Sequence, residues 1–142
     1  MDQLRPGDID IIGALGDSLT AGTAIGARTL MQTLVTNRGL SWTGGEEINL
    51  TRKQNGKPII PGGQNTWREF LTLPNILKEI NPKLVGYSTG DTLYSAQHQN
   101  QHLNLAEAAA LVDDLPLMAE MFVYKLRSQM YANNNFTADW KV

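Results

Sequence analysis

Ser18 stands where a serine can act as a nucleophile. An apolar, β-branched run ends at Leu15, Gly16 breaks it, and Asp17 and Ser18 follow before residues that suit a helix start. This order predicts a buried strand over residues 9–15, then a tight turn and a helix. A turn at the carboxyl end of such a strand carries free backbone N–H groups and the positive end of the helix dipole. There the amide of a serine can stabilise the oxyanion formed by its own attack.

Two other interpretations of this turn stay open on the residues alone. Ser or Asp after a strand is the ordinary N-cap of a helix, and Gly-Asp-Ser alone indicates capping more often than catalysis. A phosphate-binding turn is the second alternative, but neither G-x-G-x-x-G nor G-x-x-x-x-G-K-[ST] can be written through these residues. The triplet by itself therefore does not decide between capping and catalysis.

A longer set of strings resembles a known family. Gly16-Asp17-Ser18-Leu19-x-x-Gly22 looks like the first signature block of the GDSL, or SGNH, ester hydrolases. The order and spacing of further strings resemble the animal phospholipase B group nearly from end to end of the chain. These strings are Leu4-Arg5-Pro6, Ala14 to Gly22, Arg38-Gly39-Leu40-Ser41-Trp42, Thr72-Leu73-Pro74-Asn75-Ile76-Leu77, Asn81-Pro82, Thr89-Gly90-Asp91 and Asp139-Trp140-Lys141.

The resemblance implies an enzyme that hydrolyses acyl esters of lipids without a cofactor. Ser18 matches the family's nucleophile and first oxyanion amide, with Gly16, Asp17 and Gly22 completing the motif. The family's second oxyanion amide belongs to a glycine whose position here is Ala109. Alanine keeps the N–H, but it costs on the order of 1 kcal/mol or more if the turn needs a positive φ. The family's remaining strings, G-x-N-D and D-x-x-H, do not occur in this sequence.

The missing strings shape the functional hypothesis. Loss of triad members costs serine hydrolases roughly 10⁴ to 10⁶ in rate, so we expect this chain alone to be inactive. The favoured hypothesis is the amino-terminal part of a phospholipase B-like hydrolase whose remaining machinery is encoded downstream. The alternative is a non-catalytic remnant that acts as a binding or interaction protein. A third, weaker hypothesis is an anion site at the Gly16 turn of an unrelated α/β domain.

The fold implied by the resemblance is α/β, an incomplete flavodoxin-like (SGNH hydrolase) three-layer fold with a parallel sheet. Residues 1–142 would form the amino-terminal part of one such domain, with an inserted loop at about 44–63. The patterns predict a second strand at 83–88 and the approach to a third at 138–142. They predict helices at 28–36, 67–80 and 112–130, the second of them kinked or restarted at Pro74.

Composition restricts the classes of partner. The chain has 42% hydrophobic and 18% charged residues, which is typical of a globular, soluble protein. A net charge of -2 without a Lys/Arg cluster argues against nucleic acid. No apolar run approaches the roughly 20 residues that span a bilayer, and no signal-peptide core follows Met1. The family's members are secreted or membrane-associated, so the localisation stays unassigned; sequons at Asn49 and Asn135 would matter only after export.

A metal site is not predicted. His98 and His102 are four residues apart and could share a helix face, but the sequence offers no third ligand beside them. Their polar surroundings favour an exposed loop. Neither histidine has an Asp three residues before it, so the resemblance assigns neither as the catalytic base. The absence of cysteine excludes disulfides and thiolate ligands.

Overall fold

The computed structural model describes residues 3–45, 53–54, 57–58, 67–68, 71–93 and 101–132 as a mixed α/β structure. Within these ranges lie two α-helices and two short antiparallel strand pairs. The helices are α1 (Leu73–Lys78) and α2 (Leu115–Ala132), and 3-10 helices cover Pro6–Asp8, Leu30–Leu34, Arg38–Leu40 and Val112–Asp114. The strands are β1 (Val35–Thr36), β2 (Lys53–Gln54), β3 (Lys57–Pro58) and β4 (Thr92–Leu93), with β1 paired to β4 and β2 to β3.

The prediction of a continuous strand over residues 9–15 is wrong. Ile11 forms an isolated parallel bridge with Val85, and Ala14 forms another with Asn104. The segment therefore pairs with Val85 before Gly13 and with Asn104 after it. Neither pairing continues over consecutive residues, as it would in a strand. The segment is also less buried than predicted, since Leu15 is 36% exposed.

The second predicted strand, 83–88, is likewise reduced to bridges. Val85 pairs with Ile11, and Ser88 forms a parallel bridge with Gly44. Parallel pairing is thus present where the sequence predicted it, but within the described ranges it is confined to isolated bridges. The β1–β4 pair, by contrast, is antiparallel and was not predicted.

The predicted helices meet three different outcomes. The helix predicted at 112–130 is confirmed as α2, although α2 begins only at Leu115. Asp114 lies just before the helix and accepts a hydrogen bond from the Leu111 amide at 2.8 Å. The helix predicted at 67–80 is shorter, because Thr72 caps it and Pro74 stands in its first turn. The helix predicted at 28–36 is only the 3-10 helix Leu30–Leu34, with Leu30 85% exposed rather than packed.

Within the described residues, the buried interior is rich in polar groups. Its apolar side chains there include Ala14, Ala21, Pro74, Leu77, Leu84, Leu103, Leu105, Ala106 and Met118. Most of the predicted insertion at 44–63 lies outside the described residues, as do His98, both sequons and the predicted third strand. None of the described helices is long and apolar enough to cross a membrane.

Candidate functional site

Residues 16–22, called here the Ser18 turn, form a compact loop. The Ala21 amide donates to the carbonyl of Asp17 at 2.9 Å, and the carbonyl of Ser18 accepts from the Thr23 amide at 2.9 Å. The Asp17 side chain accepts from the Leu19 amide at 3.0 Å, which closes the loop from within. Ser18 itself is partly exposed. A partly exposed hydroxyl on a backbone held by hydrogen bonds suits a nucleophile, but the same geometry also suits a helix N-cap.

Both motif glycines of this turn are needed for steric reasons. Gly16 has φ of 150° and Gly22 has φ of 67°, a region that side chains rarely adopt. A Cβ at Gly16 would lie 2.7 Å from Oγ1 of Thr20, and one at Gly22 would lie 2.5 Å from the carbonyl oxygen of Asn37. The glycine spacing of the motif is therefore a requirement of the backbone path, whatever Ser18 does.

Residues 106–110, called here the Ala109 turn, contain the residue that the resemblance predicts as the second oxyanion donor. Ala109 has φ of 65°, so the positive φ considered from the sequence is present in the structure. Ala109 is exposed, and the Ala110 amide donates to the carbonyl of Glu107 at 3.2 Å. An alanine in this conformation costs roughly 1–2 kcal/mol relative to an unstrained backbone. The turn is strained, and its tip remains accessible.

Backbone hydrogen bonds bring the two turns together. The Leu105 amide donates to the carbonyl of Ala14 at 2.8 Å, and the Glu107 amide donates to the carbonyl of Gly16 at 3.0 Å. Gly16 is two residues before Ser18, and Glu107 is two residues before Ala109. The two residues singled out from the sequence, more than 90 positions apart, therefore stand on adjoining turns.

Asn104 bonds to both turns and was missed by the sequence analysis. Its side chain is almost fully buried. Its Nδ2 donates to the carbonyl of Thr20 at 3.0 Å, and its Oδ1 accepts from the Ala106 amide at 3.2 Å. Nδ2 also lies 3.2 Å from Oγ1 of Thr43 and 3.4 Å from Oγ of Ser88. One amide side chain thus links the Ser18 turn to the Ala109 turn.

Arg38 is the second residue that sequence reasoning missed. Its guanidinium is buried; Nη1 donates to Oγ1 of Thr36 at 2.8 Å and of Thr92 at 3.0 Å, and Nη2 donates to the carbonyl of Ala106. Burial lowers the pKa of Arg38, whereas the carboxylate of Glu107 raises it. The one signal in the sequence was the Arg38-Gly39-Leu40 string of the resemblance, which carries no chemistry of its own.

His102 is not the exposed loop residue that the sequence predicts. It is partly buried, and its Nε2 lies 3.5 Å from Oγ1 of Thr89. Burial lowers the pKa of His102, and the positive charge of Lys125 lowers it further. Among the described residues, no three His, Cys, Asp or Glu side chains are grouped so that they could hold a metal ion.

A cavity of about 290 Å³ adjoins the Ala109 turn. The turn forms one wall from Glu107 to Ala110, and α2 forms the other. Leu117, Met118 and Met121 supply apolar surface from α2, while Gln101 and Asp114 add polar atoms. A space of this size is at the lower end for small-molecule sites.

Three curated proteins match this chain along nearly all its length. Each is named "Phospholipase B1, membrane-associated": the mouse protein is 39% identical over 98% of this chain, and the human and rat proteins are each 37% identical over 99%. The chain spans 8% of the length of each of these relatives. No family model and no solved structure matches the chain.

Proposed function

The chain is phospholipase B-like from one end to the other, and we propose on this basis that it contributes the nucleophile of an enzyme that hydrolyses acyl esters of lipids. The observation that carries the proposal is the identity of 37–39% over 98–99% of the chain. The same matches favour ester hydrolysis over the interaction-protein hypothesis.

In the proposed reaction, Oγ of Ser18 attacks the carbonyl carbon of the ester. Its proton passes to a base, and the negative charge develops on the carbonyl oxygen. The amides of Ser18 and Ala109 would donate to that oxygen. The hydrogen bond from Glu107 to Gly16, at 3.0 Å, supports this assignment because it puts both turns side by side.

The proton acceptor is proposed to come from residues outside these 142. The GDSL pattern places an Asp–His pair in a D-x-x-H string and an oxyanion Asn in G-x-N-D, and neither string occurs here. On this proposal the isolated parallel bridges at Ile11, Ala14 and Ser88 belong to a flavodoxin-like sheet that further chain completes. A gene product with neither string downstream would contradict the proposal.

The direct test measures ester hydrolysis by the full-length gene product with a short-chain p-nitrophenyl ester. Turnover removed by Ser18→Ala is the activity attributable to this site, and we expect Ser18→Ala to lower it by about 10⁴ or more. Ser128→Ala is the matched control, since Ser128 is exposed on α2 and donates only to the carbonyl of Lys125, at 2.7 Å. Equal turnover in the wild type and Ser18→Ala would refute the assignment.

A further inference from the structure

Arg38 joins the β1–β4 pair to the Ala109 turn through one buried guanidinium. We propose that Arg38 is a positioning residue, which holds the carbonyl of Ala106 and thereby sets where the Ala109 amide stands relative to Ser18. The inference rests on the proposed function, because it concerns the same acyl-transfer site. Arg38 does not touch the substrate in this proposal; it acts through the turn.

One side of the guanidinium is fixed by the strand pair. Thr36 and Thr92 are opposite each other in the antiparallel register, and both hydroxyls accept from Nη1. Oγ1 of Thr36 also lies 3.1 Å from the carbonyl of Thr92, so the two acceptors are themselves tied together. All three residues are buried. The charged group therefore has little freedom to move at this end.

The other side of the guanidinium meets the backbone of the Ala109 turn. Nη2 donates to the carbonyl of Ala106, which is fully buried and three residues before Ala109. Ala109 holds φ of 65°, and a strained backbone persists only where its surroundings determine it. Without the anchor at Ala106, we expect the turn to relax and its amide at 109 to move.

The backbone of Arg38 is held as well as its side chain. Its carbonyl accepts from Oγ of Ser41 at 2.9 Å and from Oγ of Ser88 at 2.8 Å. Ser88 in turn lies 3.4 Å from Nδ2 of Asn104, the side chain that bonds to both turns. Arg38 is thus one arm of a closed hydrogen-bonded network around the proposed site.

Lysine is the informative substitution at this position. The planar guanidinium of arginine donates from two nitrogens: Nη1 bonds to the two threonine hydroxyls, and Nη2 bonds to the Ala106 carbonyl. The ammonium of lysine is instead a point charge on a flexible side chain. Arg38→Lys keeps the charge and loses this geometry. Arg28→Lys is the matched control, because Arg28 is exposed.

Two readouts decide the proposal. In the full-length gene product, we expect Arg38→Lys to lower the Ser18-dependent kcat by about 10- to 100-fold with KM unchanged, as displacement of a catalytic group would. In the same gene product, we expect the ¹⁵N–¹H resonance of the Ala109 amide to shift and its hydrogen exchange to accelerate. Arg28→Lys should do neither. A wild-type kcat, or a kcat that falls only in proportion to the folded fraction, would overturn the proposal.

Thr92→Val keeps the proposal testable if Arg38→Lys does not fold. It removes one acceptor of Nη1 and leaves the bond to Ala106 possible, so we expect the same kcat-selective loss on a smaller scale. A folded Thr92→Val variant with wild-type kcat and an unshifted Ala109 amide counts against Arg38 as a positioning residue. Failure of the proposed function would be recognised separately, because Ser18→Ala would then leave turnover unchanged. The Ala109 resonance would still report whether Arg38 positions the turn.

Discussion

The Ser18 turn and the segment at 101–110 both require a left-handed backbone, but they meet the requirement with different residues. The Ser18 turn uses glycine at positions 16 and 22. The other segment uses His102, with φ of 47°, and Ala109, with φ of 65°. Glycine adopts positive φ freely, whereas other residues pay for it. Within the Ser18 turn the positive φ therefore falls on glycine, and the next strained residue, Ala24 with φ of 61°, lies just beyond it; within 101–110 both positive-φ residues are strained, including Ala109, the proposed second oxyanion donor.

The surroundings of the two turns explain why a residue with a side chain is tolerated at position 109 but not at position 22. Gly22 packs against the backbone of Asn37, with no room for a Cβ, so a side chain there would add a clash to the conformational cost. Ala109 is exposed, and its methyl group adds only the conformational cost. A non-glycine residue at positive φ thus has a modest cost at the exposed turn, while the enclosed turn has no space for its Cβ.

Gly22→Ala is expected to have the largest effect on stability. The new Cβ would stand 2.5 Å from the Asn37 carbonyl oxygen at φ of 67°, which combines overpacking with a strained backbone. We expect a loss of about 3 kcal/mol in the free energy of unfolding, measured by urea denaturation. Gly26→Ala is the matched control, since its Cβ would approach the same Asn37 only to 3.6 Å and its φ is ordinary.

If the two glycine variants were equally stable, the enclosed character of the Ser18 turn would be refuted. A loss of stability confined to Gly22→Ala would support the contrast between enclosed and exposed turns, because Gly22 and Gly26 lie in the same loop and both approach Asn37. They differ in φ and in the space for one methyl group.

Asn104→Ala is expected to weaken both turns at once. It would leave the buried Thr20 carbonyl and the Ala106 amide without their partner, at a cost of about 2 kcal/mol. Hydrogen exchange should accelerate in the Ser18 turn and in the Ala109 turn together. Asn81→Ala is the control, since buried Asn81 bonds to the Ile9 carbonyl, the Asp10 side chain and the Lys83 amide, and should affect the segments at 9–10 and 81–83 but neither turn. Faster exchange in a single turn would show that Asn104 does not couple them.

Much of the local structure followed from the sequence because its causes are local. The 3.6-residue period over 112–130 predicted α2, and Pro74 predicted either a kink or a new helix start, of which α1 shows the second. Gly16, after the apolar run, predicted the turn before Ser18. Each of these predictions depends on residues within a few positions of one another. The position of Ala109 came instead from the resemblance, and its φ of 65° is the positive φ considered there.

The rest could not be predicted because it depends on distant pairs. Arg38 bonds to Thr92 and Ala106, which are 54 and 68 positions away, and nothing in its neighbourhood indicates either partner. The segment at 9–15 pairs with Val85 before Gly13 and with Asn104 after it, which the apolar residues of this segment do not reveal. His102 lies in a polar run and is nevertheless partly buried. Hydropathy reports average burial, not which segments meet.

Ala109→Gly is expected to raise the free energy of unfolding, whereas Gly22→Ala is expected to lower it. Relief of the positive φ outweighs the extra freedom that glycine gives the unfolded chain, so we expect a gain of roughly 0.5–1 kcal/mol in the free energy of unfolding. Ala110→Gly, one residue on and outside the positive-φ region, should instead lose about 0.5–1 kcal/mol. Two losses of similar size in urea denaturation would mean that position 109 is not strained in solution.

The smallest expected effect is the pH dependence contributed by His102. Burial, and then the charge of Lys125, hold the pKa of His102 below its ordinary value of 6.5. The unfolded chain therefore binds more protons than the folded one, so this contribution to stability is complete above pH 6.5 and is lost as the pH falls toward the folded pKa. Urea denaturation on both sides of pH 6.5 should show a weaker pH dependence for His102→Gln than for the wild type. Lys125→Met should also weaken it, because removing that charge raises the pKa of His102. An unchanged pH dependence in His102→Gln would mean that His102 has the same pKa in the folded chain as in the unfolded one, and that neither its burial nor Lys125 contributes to the pH dependence of stability.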